Sequence, residues 1–223
     1  MIARIASLLH IAPEGAAITL AVAIVGVGAL VLGWGWLGAI VLIVAGAIGA
    51  FFRDPERRPV AGEEAVISAA DGKVCDIGEA SIPGAVGEAP RSRRVAVFMS
   101  PLNVHVNRAP VSGAIVGVEH TAGEFRAAFR DAASEHNERN VILFADRAGR
   151  RHAIVQIAGY LARRIVCRVS RDQQVARGQR VGLIMFGSRV DHYFPLDYRV
   201  TVTVGDRVRA GESVLGEFIR DGD

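Results

Sequence analysis

Residues 16–52 read AAITLAVAIVGVGALVLGWGWLGAIVLIVAGAIGAFF, without one Asp, Glu, Lys, Arg or His, whereas nearly all the charge of this 223-residue chain follows from Arg53 onward. The hydrocarbon core of a bilayer, about 30 Å thick, takes about 20 helical residues. The run is therefore too long for one ordinary span and just long enough for two short ones. A helical hairpin is the preferred reading. Gly33, Trp34, Gly35 and Trp36 fall in its middle, where glycine permits a turn and tryptophan favours the membrane interface. Arg4 before the run and Arg53, Arg57 and Arg58 after it put both ends on the cytoplasmic side of the inner membrane. One long tilted or broken helix, with its ends on opposite sides, stays open as the alternative. The stretch is longer than a signal-peptide core and Phe51-Phe52-Arg53 offers no small-residue cleavage pattern, so the anchor is expected to stay attached.

The expected organisation is an N-terminal segment (1–15), the membrane hairpin (16–52), a charged, proline-punctuated linker (53–59) and a β-rich domain (60–223). Alternating or β-branched runs predict strands at 65–69, 94–100, 114–120, 140–146, 152–159 and 163–169, and GEFRAAFRDAA at 123–133 predicts a short helix. Two segments resemble each other, 174–182 around Gly178 and 207–216 around Gly211, each placing a glycine turn between short β-rich runs. ADGKV at 70–74 is a candidate third turn. The fold expected is mainly β (α+β), a hammerhead or lipoyl-like barrel or sandwich behind the helical anchor.

Composition excludes several roles. The net charge of +3 comes from scattered arginines, with no aromatic platform beside them, so anionic lipid is a nearer partner than nucleic acid. Cys75 and Cys167 are far apart and without metal-type spacing, which suggests ordinary buried thiols and no zinc site. His10, His120, His136, His152 and His192 likewise show no metal-binding spacing. Lys73 is the only lysine. It lies in ADGKV, outside the Met-Lys-Met and Asp-Lys-Ala contexts of biotin and lipoate carriers. A tethered, uncleaved lipoyl-like adaptor or carrier is thus the rival reading from a different class.

The chemistry concentrates in VGLIMFGSRVDHYF, residues 181–194. A Gly-Ser pair alone is a common turn, ADG alone is also a turn, and His105 in an apolar alternation fits a core histidine. Taken together and in order, FFRDPER, SAADGKV, FMSPLNVHVNRAP, SEHNERN and FGSRVD resemble the phosphatidylserine decarboxylase family over most of residues 51–216. The resemblance implies self-cleavage between Gly187 and Ser188, in which Ser188 attacks the Gly187 carbonyl and an N-to-O acyl shift gives an ester. Elimination and hydrolysis then leave a pyruvoyl group in place of Ser188. Fragments 1–187 and 188–223 would remain together as a heterodimer. The implied activity is decarboxylation of phosphatidylserine to phosphatidylethanolamine and CO2, the pyruvoyl ketone joining the substrate amine and accepting the electrons of the breaking bond. A pyruvoyl-dependent decarboxylase of a small amino acid is the runner-up among enzymes, and the anchor argues against it.

A serine hydroxyl needs a base, and the family pattern points to Asp71 and His105 as partners of Ser188 in an Asp-His-Ser arrangement. The bacterial long form carries two histidines in the matching motif, at places equivalent to His105 and Arg108 here, and the second is usually assigned to the triad. Arginine cannot act as a general base at ordinary pH. His105 is therefore the preferred base, with His192, four residues after Ser188, as the alternative. His105 is also the candidate proton donor to the substrate α-carbon. Arg108, Asn137 and Glu138 are candidate substrate contacts, with a surface position for Arg108 and strand capping by Asn137, Glu138 and Asn140 as the plainer readings.

Overall fold

The computed structural model describes residues 10–59, 62–83, 91–123, 137–159, 164–185 and 188–220. The chain divides into two compact units, Met1–Glu56 and Arg57–Asp223. In the first, helix α1 (Pro13–Val31) starts on a proline, whose missing N–H has no helical partner to lose there. Gly33, at φ +84°, makes the turn into α2 (Gly35–Phe51). The two helices lie closely side by side. A Cβ on Gly26 would sit 2.9 Å from the Leu42 side chain, and one on Gly38 would sit 2.6 Å from Leu30. An antiparallel bridge between Ile11 and Arg53 brings the outer ends together, so the pair forms a hairpin. Its outward side chains are apolar, Val31 being 81% and Trp36 74% exposed. By length and composition α1 suffices to cross a membrane, and α2 is a shorter apolar helix.

The second unit is built from short strands. These are β1 (Val66–Ile67), β2 (Gly72–Ser81), β3 (Arg91–Met99), β4 (Val106–Arg108), β5 (Gly113–Thr121), β6 (Arg139–Asp146), β7 (Arg151–Ile157), β8 (Ile165–Cys167), β9 (Gln174–Val175), β10 (Arg180–Ile184), β11 (Ser188–Phe194), β12 (Tyr198–Val200), β13 (Arg207–Val208) and β14 (Val214–Phe218). Among the described residues they form one large antiparallel sheet, ordered β13-β2-β3-β11-β7-β6-β5-β9, and two three-stranded sheets, β1-β14-β12 and β4-β10-β8. The large sheet curls into a half-barrel. Val97, Met99, Phe144, Ile154, Val190 and Phe194 line its concave face, packing with Val66, Val181, Ile184 and Leu215 from the smaller sheets. The expected mainly β architecture behind apolar helices is the observed one.

The internal resemblance has a structural counterpart. Gly178 and Gly211 turn at φ +81° and +80°, and their N–H groups donate to Ala109 O (2.9 Å) and Ser68 O (2.8 Å). The expected third glycine turn differs. Gly72 already belongs to strand β2, and glycine is required there for close approach, since a Cβ would lie 2.1 Å from the Phe98 carbonyl oxygen. Two long strands lack a clear signal in the sequence, β2 and β11, because polar residues interrupt their alternation. Of the helix expected at 123–133, residues 124–133 lie outside those described.

Gly72→Ala should lower the stability of the β domain by more than about 2 kcal/mol, the Phe98 carbonyl being backbone that cannot swing away. Gly78→Ala, where a Cβ meets nothing within 4 Å, should shift it by less than about 0.5 kcal/mol. Urea unfolding of both variants checks the contrast.

Candidate active site

Strand β11 begins at Ser188 and runs between β3 and β7, with Ser188 opposite Met99 and Arg189 opposite Ile157. All seven of its residues are buried. Ser188 is fully buried, and its hydroxyl donates to Met99 Sδ at 3.5 Å. Gly187 and Phe186 lie outside the described residues.

His105 is 2% exposed and immediately precedes β4. Its carbonyl accepts from Ile184 N–H at 3.3 Å, and Val106 pairs with Leu183, so the histidine sits against the end of the strand that leads to the Gly187-Ser188 bond. Two residues on, the Asn107 side-chain nitrogen approaches Met99 Sδ at 3.8 Å, the same sulfur that receives the Ser188 hydroxyl.

His192 is held differently. Its Nε2 accepts from Ala69 N–H at 2.8 Å, which makes Nδ1 the protonated nitrogen, donating to Val95 O at 3.0 Å. Burial lowers its pKa to about 4 against the favourable Val95 bond and the charge of Asp191. Protonation at Nε2 would break the bond to Ala69, so this lone pair is already committed. His152, also buried, is likewise pushed down by burial, against the nearby Asp146 carboxylate at 3.3 Å.

Asp71 is 7% exposed, and Arg57 grips its carboxylate with both terminal nitrogens, Nη1 on Oδ1 and Nη2 on Oδ2, the latter at 2.9 Å. Ala210 N–H donates to Oδ1 at 2.8 Å. The fork joins FFRDPER to SAADGKV and fastens the turn before β2. Ala69 in that turn donates to His192, and its carbonyl receives Arg108 N–H at 2.9 Å and the Asn107 amide at 3.4 Å. Asp71 therefore reaches the Ser188 neighbourhood through the turn it anchors.

The candidate substrate contacts are placed as follows. Arg108 is 3% exposed and donates from Nη1 to Gly178 O at 3.0 Å, so the plainer alternative of a surface position gives way to a buried one. Asn137 is buried and donates to Ala158 O at 2.7 Å. Ala158 follows Ile157, the partner of Arg189, which sets Asn137 at the same end of the large sheet as Ser188. Glu138 pairs with the exposed His120 at 3.0 Å. Lys73 is exposed on β2. Cys75 and Cys167 are free and half-buried, and burial raises the Cys75 thiol pKa.

The family model of phosphatidylserine decarboxylase matches residues 45–216. The chain belongs to this family. It is accordingly a decarboxylase, a carboxy-lyase. Among its relatives, the phosphatidylserine decarboxylase proenzyme of Mycolicibacterium smegmatis is 46% identical over 185 residues, 82% of this chain and 79% of the relative. The proenzyme of Magnetococcus marinus is 43% identical over 197 residues, covering 87% and 89%. That of Solidesulfovibrio magneticus is 44% identical over 200 residues, covering 87% and 92%. The family match takes in Asp71, His105 and Ser188.

Several residues at the site were not singled out by sequence reasoning. Met99 and Asn107 stand inside a motif quoted for other members, and Arg57 was read only as a positive flank of the apolar run. Gln156 was detectable as the one polar residue inside the apolar run AIVQIA, an alternation fault that marks a buried amide with a partner.

The His192 environment fixes the sign of its pH dependence. Its folded pKa lies below the ordinary 6.5, so its contribution to stability is complete above about pH 6.5 and is lost as pH falls through about 4. Wild-type protein should lose stability on that descent, by up to the order of 3 kcal/mol from this one group. His192→Gln should flatten the slope between pH 6.5 and 4 in denaturant titrations. An unchanged slope would refute the assignment.

Proposed function

We propose that the chain is a proenzyme that breaks its own Gly187-Ser188 bond and uses the pyruvoyl group formed from Ser188 to decarboxylate phosphatidylserine to phosphatidylethanolamine. The observation carrying this reading is the position of Ser188, at the start of a wholly buried strand and sharing the Met99 sulfur with Asn107, two residues beyond His105, in a member of this family.

In this reading His105 removes the Ser188 hydroxyl proton as Oγ attacks the Gly187 carbonyl carbon, and the carbon-nitrogen bond gives way to an ester. Loss of the Ser188 α-proton expels the Gly187 carboxylate, and hydration of the resulting dehydroalanine releases ammonia. His192 is unsuited to the base role, because both ring nitrogens are spent on Val95 and Ala69. Asp71 supports the site by fastening the turn that carries Ala69.

The residues present fit a ketone at position 188. The strand excludes water, and the only lysine, Lys73, is exposed and offers no sheltered amine for an aldehyde cofactor. A pyruvoyl ketone would supply the electron sink that loss of CO2 from an amino acid requires. His105 then holds the proton to be returned to the substrate α-carbon. The cleaved fragments stay together because 188–223 supplies β11 to the middle of the large sheet, β13 to its edge and β14 to β1. The helical hairpin, with both outer ends on one side, tethers the chain to the cytoplasmic face of the inner membrane, the source of its lipid substrate.

Intact mass spectrometry of the purified protein should find fragments 1–187 and 188–223, the smaller with a keto-blocked N-terminus. A single intact chain that still decarboxylates would sink the proposal. His105→Ala should slow self-cleavage by about 10²-fold or more, and Asp71→Ala should also impair it; normal processing of both would remove them from the mechanism. Deleting residues 1–52 should preserve self-cleavage while impairing action on phosphatidylserine in vesicles, and failure of the truncated chain to cleave would refute a purely positional anchor.

A further inference from the structure

Two cations stand side by side on the edge of the large sheet. Lys73 on β2 is in register with Arg207 on the edge strand β13, so their side chains leave the same face, and both residues are exposed. Neither enters an ion pair among the described residues. Like charges directly opposite each other destabilise a strand pair. Blunting a sheet edge calls for charge, but not for two charges of one sign in one row. Arg209 adds a third cation, its side chain 75% exposed and only loosely paired with Glu212 at 3.8 Å. The adjacent acid, Asp206, is turned inward, its Oδ2 accepting from Thr203 N–H at 2.8 Å.

Apolar surface adjoins these cations. On one side the row continues from Lys73 to the half-buried Phe98 of β3. On the other, the turn at 203–206 runs along the lysine, since a Cβ on Gly205 would meet Lys73 Cε at 3.9 Å. Val204 in this turn is 60% exposed. The turn is fixed to β2 in both directions, Gly205 N–H donating to Val74 O at 2.8 Å and Val74 N–H to Asp206 O at 2.9 Å. Basic groups beside exposed apolar side chains suit the headgroup layer of a bilayer, where phosphates meet the cations and the acyl boundary meets the apolar groups.

We propose that Lys73 and Arg207, with Val204 beside them, form a docking surface for the anionic headgroups of the bilayer. The proposal rests on the reading of the chain as a membrane-bound enzyme of phosphatidylserine and extends it to how the β domain meets its substrate. Phe98, in the row of Lys73, pairs with Arg189, and the next pair along is Met99 with Ser188. The docked edge therefore belongs to the same end of the sheet as Ser188, and docking draws that end toward a surface whose anionic headgroups include the substrate.

Lys73 is the only lysine in the chain, so it reports on its own surroundings. The full-length protein is placed in nanodiscs of phosphatidylcholine, with or without phosphatidylglycerol, neither of which carries an amine. It is then acetylated with a water-soluble succinimidyl ester, and modification of Lys73 is followed by mass spectrometry. Phosphatidylglycerol should slow the modification at least about fivefold, the order expected from the attraction of one cation to such a surface. High salt should restore the rate seen in neutral discs, and Arg207→Gln should lose most of the protection. Equal rates in the two kinds of disc, or protection that survives high salt and Arg207→Gln, would overturn the docking surface. Arg207→Gln should also raise KM for phosphatidylserine in discs while leaving kcat on detergent-dispersed phosphatidylserine unchanged, and an unchanged KM would overturn the link to substrate. Wild-type protein that is protected but does not decarboxylate phosphatidylserine would instead overturn the functional reading and leave the docking surface standing.

Discussion

Strand β11 places Ser, Arg, Asp and His in the interior within five residues, and burying such groups without partners costs several kcal/mol each. Each has a specific answer. Ser188 meets the Met99 sulfur, and His192 spans from Ala69 to Val95. Arg189 forms a two-pronged pair with Asp191, at 2.6 and 2.7 Å. Because alternate side chains face opposite ways, Ser188 and His192 point into the concave core while the Arg189-Asp191 fork serves the other face. The neighbouring strands are thereby held to a definite register, and the surrounding architecture follows from it.

This burial accounts for the kind of chemistry the site supports. A removed partner would leave a buried charge or amide exposed to nothing, so the polar groups around Ser188 are held rigidly. Rigidity would suit the proposed self-cleavage, in which the attacking and attacked atoms must already be aligned. It also divides labour between two histidines. His192 serves the fold through the turn that Asp71 and Arg57 fasten, while the His105 carbonyl receives the N–H of Ile184 at the end of β10.

Much of the fold is legible in the chain. The uncharged run at 16–52 announces the helices, and β-branched alternation announces β3, β5, β6 and β7. The paired glycine segments announce turns that share both φ and hydrogen-bonding pattern. Strand β11 is not legible, because alternation reports a sheet with one apolar face, and a strand buried on both faces with its polar groups internally paired breaks that pattern. In β2 polar residues interrupt the alternation. Likewise Arg108 reads as a surface cation until Gly178 and the packing around Gly211 are seen to enclose it.

The sequence by itself determined the apolar helical run, the ordered motifs and the Gly187-Ser188 dipeptide, and with them the family, because these are local properties of composition and spacing. Only the tertiary structure decided which polar side chain meets which. His192 and Ala69 are 123 residues apart, and Asn107 and Gln156 are 49 apart. Partners at such separations are set by strand pairing and sheet curvature. For that reason the engagement of both His192 ring nitrogens, and the chain of amides ending at Met99, become visible only when the strands are side by side.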